Sequence, residues 1–170
     1  MASCTGDITY INWELIHSLT GSYQLTEIHQ SIKRFIKSID PDIKLNMSGN
    51  QFFCIIEDKL VNVPFTRDAM GDKMMYDFVC EEFGVSVPPF LMGLLHEIFH
   101  IVTYDEQIDK ERSILYYMLQ LDFDSERYEE FTTMYFYIPS EYEATKGAVN
   151  YYLSHKEYCD NFLKEIGYEA

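Results

Sequence analysis

The chain reads as an α+β protein, mostly helical with a small antiparallel β-sheet. Three observations carry this reading: apolar residues recur at helical spacing over most of the 170 residues, one stretch between residues 51 and 64 has strand character, and no further strands alternate with the helices. A chain of this length forms one domain, residues 1 to 170, with a core of useful size.

The elements follow in order. From Leu25 to Ile39 the apolar residues Leu25, Ile28, Ile32, Phe35, Ile36 and Ile39 lie three or four apart with charged residues between them, which is an amphipathic helix. Asp40-Pro41 ends it. Residues 51 to 64 read as two apolar arms around Glu57-Asp58-Lys59, a β-hairpin closed by Pro64. A helix from Arg67 to Phe83 is expected to stop at Gly84. Pro88-Pro89 then opens a strongly apolar helix to about Val102, with proline where a first turn tolerates it. Further helices are expected over about 109–121, 125–136 and 140–166.

Charge and composition narrow the function. Thirteen basic against 28 acidic residues give a formal charge of −15, which repels phosphate backbones and anionic membranes and disfavours nucleic acid as a partner. The 14 tyrosines and 12 phenylalanines point to half-buried packing rather than to a site. Cys4, Cys54, Cys80 and Cys159 form no CxxC pair and read as reduced thiols. The first residues lack a basic start and an apolar run, and Phe90 to Val102 is too short to span a bilayer, so a cytoplasmic protein is expected.

The chemistry sits in His96-Glu97-Ile98-Phe99-His100. On a helix, His96 and His100 project about 40° apart and roughly 6 Å apart along the axis, so both imidazoles can reach one metal ion. Glu97 is turned by about 100°, positioned to activate a metal-bound water as a general base. Apolar neighbours cover most of this helix, and burying two histidines and a glutamate without a partner would cost several kcal/mol. Gly93, one turn earlier, is expected to leave open space beside His96.

A catalytic zinc site takes three protein ligands and keeps a fourth position for water. The pattern HExxHxxGxxH is absent, because Thr103 and Glu106 stand where its Gly and last His would be. The HExxH segment followed by Glu141-Tyr142-Glu143-Ala144-Thr145 resembles the paired motifs of the ImmA/IrrE-type zinc metallopeptidases, and more broadly gluzincins with a downstream ExxA[DN] helix. That resemblance implies a zincin-like fold, zinc as cofactor, Glu141 as third ligand and an intracellular protein or peptide as substrate. Thr145 stands where those families carry Asp or Asn.

Helix geometry bears separately on the choice between Glu141 and Glu143. Glu141, Ala144 and Ala148 share one small-residue face, whereas Glu143 fits a capping box with Ser140. Glu141 is the preferred ligand. Tyr104, Tyr135 and Tyr137 are conceivable donors to a developing oxyanion. His155 would lie about 21 Å from Glu141 along a continuous helix, out of reach. His17 and His29 read as surface or satisfied histidines, and the acidic residues Asp122, Asp124, Glu126, Glu129 and Glu130 as a solvated face. A non-catalytic binding module on the same scaffold competes with the peptidase reading.

Overall fold

The apolar period around Ile32 and Phe35 closes into a first helix, α1 (27–39), whose inner face is fully buried at Ile32, Phe35 and Ile36. The structure is a computed structural model and describes residues 27–64, 69–121 and 128–168. His17, Cys4, the segment Asp122 to Glu126 and the outermost residues of several expected helices lie outside these ranges.

After α1 come strands β1 (Lys44–Met47), β2 (Phe53–Ile55) and β3 (Leu60–Val63). Six helices follow: α2 (Ala69–Phe83), α3 (Pro89–Val102), α4 (Glu106–Leu121), α5 (Tyr128–Phe136), α6 (Pro139–Ser154) and α7 (Lys156–Glu165). The architecture is therefore mostly helical α+β, as expected. The sheet itself differs from expectation. β2 and β3 form the antiparallel hairpin, with Cys54 opposite Val61, but β1 pairs in parallel with β3, so the sheet is mixed with order β1-β3-β2. Lys44 and Asn46 interrupt the apolar residues of β1, and its four-residue length leaves too little alternation to mark a strand. Parallel pairing is secured by the buried Asn62. Its Oδ1 accepts from Asn46 Nδ2 at 2.7 Å and Ser48 Oγ at 2.8 Å, while its Nδ2 donates to the Ser48 and Gln51 carbonyls, both at 2.9 Å. A buried amide with every group satisfied fixes register instead of costing stability.

Two helix boundaries also shift. Helix α4 starts at Glu106 because Asp105 Oδ1 accepts from the backbone N–H of Gln107 (2.9 Å) and Ile108 (3.0 Å), an aspartate cap on the first turn. The expected helix 140–166 is broken at His155, which leaves helical geometry at φ −128° and ψ 31° and separates α6 from α7. The capping box is not formed. Pro139 occupies the first helical position, which puts Ser140 inside the first turn, and Glu143 instead accepts from Lys146 Nζ at 3.5 Å. Gly84 ends α2 as expected, at φ +66° with its N–H on the Cys80 carbonyl.

Helix α3 runs through the middle of the core. Its residues from Pro89 to His96, with Ile98 and Ile101, are buried. It packs on α6 most extensively and also meets α2, β2 and β3. Two glycines set these distances. A Cβ on Gly147 of α6 would stand 2.4 Å from Phe99 Cδ1, and one on Gly93 would stand 2.7 Å from Phe52 Cδ2. The space expected beside His96 at Gly93 is thus filled by the Phe52 ring, which brings the hairpin against α3. On the opposite side Phe35 stacks on Phe162 at 4.1 Å and on Tyr158 at 5.5 Å, which explains part of the aromatic content as packing between α1 and α7.

Candidate metal centre

Two helices supply the metal-ligating atoms. Helix α3 carries His96 and His100 one turn apart, and the i,i+4 spacing sets their rings at 4.5 Å between centroids and 84° to each other. Helix α6 supplies Glu141 from its first turn, where the helix N-terminus favours an anion. Ala144 and Ala148 are fully buried on the same helix, so small side chains let α6 approach α3 closely enough for the carboxylate to reach both imidazoles.

The three donors converge. His96 Nε2 and His100 Nε2 are 2.9 Å apart, and Glu141 Oε2 is 3.2 Å and 3.1 Å from them. For bonds of 2.0–2.1 Å to zinc, the edge of a tetrahedron is about 3.3 Å, so the triangle is within a few tenths of an ångström of a zinc-sized site. His96, His100 and Glu141 form the group among the described residues able to hold a metal ion. His96 is 3% exposed and Glu141 0%.

Proton placement supports the same use. His96 Nδ1 lies 3.1 Å from Thr145 Oγ1. With Nδ1–H donating to that hydroxyl, Nε2 presents its lone pair to the centre. Three donor atoms then face one point, an arrangement that a metal cation, or protons on the imidazoles facing the carboxylate, would stabilise.

Electrostatics around the cluster are strongly coupled. Burial alone would push the Glu141 carboxyl up, but hydrogen bonds from His100 and His96, and their charge, outweigh it and hold the group well below the usual carboxylate range. Burial pulls the His96 imidazole down, while the Glu141 hydrogen bond and the Glu97 and Glu141 charges leave it raised overall. Behind the carboxylate, Arg112 of α4 places Nε 3.3 Å from Glu141 Oε1. Tyr135 of α5 faces the same carboxylate, and burial followed by the Glu141 charge pushes its phenol up.

Glu97 is half-buried, as His100 is, and its charge acts on Cys54 of β2. Burial pushes the Cys54 thiol up, and the charge and hydrogen-bond acceptance of Glu97 push it further. Cys54 and Cys159 are free thiols.

Of the other positions singled out in the sequence, Glu143 is turned away from the centre and pairs with Lys146. Tyr104 and Tyr137 are about half exposed, and Tyr137 donates to Glu82 at 2.6 Å, so Tyr135 is the tyrosine brought to the cluster. His155 is exposed, stacked on Tyr151 at 4.3 Å, and remains outside the centre despite the helix break. His29 is half-buried and belongs to no metal-ligating group among the described residues. Arg112 and Cys54 carried no local signal in the sequence. Each reaches the centre only through packing of its own element.

Compared with protein-family models, curated proteins and solved structures, the chain matches none. No helix among the described residues is long and apolar enough to cross a membrane.

Proposed function

We propose that the protein is a zinc-dependent metallopeptidase that hydrolyses peptide bonds of an intracellular protein, with His96, His100 and Glu141 as zinc ligands. The observation that carries this reading is the convergence of two Nε2 atoms and one carboxylate oxygen within 3.2 Å, with Glu97 next to the first histidine on the same helix. Two histidines and a glutamate are a donor set that catalytic zinc uses with its fourth position open. Zinc held there supplies a Lewis acid that acidifies water and polarises a carbonyl oxygen.

The remaining steps fall to side chains of the chain. Glu97, half-buried next to His96 on α3, accepts a proton from the attacking water at its carboxylate and delivers it to the leaving amine. The Glu97 charge also acts on Cys54 of β2, whose thiol is kept protonated by burial and by that charge. Tyr135 stays protonated at neutral pH, its phenol raised, and so can donate to an oxyanion formed near Glu141. Free thiols at Cys54 and Cys159 accord with a reducing, cytoplasmic setting.

Metal analysis of protein purified without chelator tests the site, with about one zinc per chain expected. Cleavage of a peptide library by the wild type and by Glu97→Gln tests the chemistry. The variant is expected to keep its zinc and lose cleavage. Zinc in both proteins with cleavage by neither would replace the peptidase reading with a zinc-bearing binding module.

A further inference from the structure

We propose that Arg112 is a positioning residue for Glu141, holding one carboxylate oxygen so that the other alone meets the metal. The inference rests on the metal-ligand reading of the same site and extends it to a residue outside the ligand set.

The two oxygens of Glu141 have unlike surroundings. Oε2 faces His96 and His100 at 3.2 Å and 3.1 Å. Oε1 is buried and lacks a hydrogen-bond partner, and the cation beside it is Arg112, with Nε at 3.3 Å. This is a charge contact rather than a well-directed hydrogen bond. It matters because the Glu141 side chain is only 1% exposed, whereas that of Arg112 is 39% exposed. The guanidinium stays hydrated on one side while stabilising a charge that water cannot reach, so it escapes most of the desolvation cost of a fully buried pair. Arg112 is itself steadied within α4 by Asp109, with Nη1 3.5 Å from Oδ1.

A carboxylate whose second oxygen is unopposed can rotate and bind an ion through both oxygens, taking the position that water needs. Arg112 opposes that rotation by attracting Oε1 to the far side. The consequence is a ligand that counts once, a low coordination number and an open position.

Cobalt(II) in place of zinc reports this directly, because its visible bands are intense in four-coordinate sites and weaken as coordination rises. Arg112→Leu and Arg112→Gln both remove the cation, and Arg112→Lys keeps it. The leucine and glutamine variants are expected to show weakened cobalt bands and zinc binding reduced by about 10-fold or more in chelator competition. The lysine variant is expected to recover most of both. Wild-type band intensity and zinc affinity in a folded Arg112→Leu or Arg112→Gln protein would overturn the proposal while leaving the ligand assignment standing. Should Arg112→Leu not fold, Arg112→Gln carries the comparison. Failure of the wild type itself to bind zinc or cobalt would overturn this proposal together with the metal reading beneath it.

Discussion

Thr145 Oγ1 lies 3.1 Å from His96 Nδ1, and both residues are buried between α3 and α6. The contact orients the imidazole, and with Nδ1–H donating to the hydroxyl it leaves Nε2 to face the centre, the task that a carboxylate or carbonyl commonly performs behind a metal-bound histidine. A threonine does so without adding charge. Thr145→Val keeps the shape and removes the acceptor, so zinc affinity is expected to fall by about 10-fold, with Thr145→Ser restoring most of it. Chelator competition measures the change. Equal affinity in the valine variant would remove Thr145 from the site.

Glu141 and Glu143 are two residues apart and differ completely in setting. The first is fully buried against both histidines, and the second is paired with Lys146 at the surface. Glu141→Ala is expected to weaken zinc binding on the order of a hundredfold or more, since losing a ligand exceeds the loss of a supporting contact. Glu143→Ala is expected to leave affinity unchanged, because an exposed ion pair contributes little. A larger loss for Glu143→Ala would reverse the ligand assignment.

The metal-free protein should show a pH optimum set by the same pair. The lowered Glu141 pKa contributes stability above the ordinary carboxylate value, lost as pH falls through the folded-state pKa. The raised His96 pKa contributes stability below the ordinary imidazole value, lost as pH rises through its folded-state pKa. Metal-free protein is therefore expected to be most stable between about pH 4.5 and 6.5, while zinc affinity climbs with pH as His96 gives up its proton. Thermal melts with and without zinc across pH 4 to 9 test both trends. A metal-free melting temperature that kept rising above pH 7 would contradict the first.

Gly147 tests the closeness of the two helices that build the centre. Helix propensity alone would make Gly147→Ala favourable by about 1 kcal/mol. The new Cβ would meet Phe99 Cδ1 at 2.4 Å and Cγ at 3.0 Å, and crowding of this kind costs about 1–3 kcal/mol in a packed core. Net destabilisation is expected, visible as a lower melting temperature. Adding Phe99→Leu should recover part of it non-additively, since the two positions touch. Additive losses would place the strain elsewhere.

The site divides cleanly by range. His96, Glu97 and His100 are legible in the sequence because helical geometry fixes their spacing locally, and Glu141 through the resemblance to paired HExxH and ExxA motifs, with Ala144 and Ala148 favouring it over Glu143. Strand β1 was not legible, since a four-residue parallel strand takes its identity from β3 and from the Asn62 network. Gly93 suggests open space beside His96, and the ring of Phe52 from the hairpin fills it. Arg112 and Cys54 come from α4 and β2 with nothing in their own segments to distinguish them from surface or core residues, and Tyr135 of α5 is one of three candidate tyrosines that only packing separates. The sequence by itself determined a buried helix with two histidines on one face and a later helix with a carboxylate on its small-residue face, because both follow from periodicity, while the pairing of the two was implied by resemblance. Only the tertiary structure decided which charged and polar groups surround that carboxylate, because such contacts depend on how separate elements pack and leave no period in the chain.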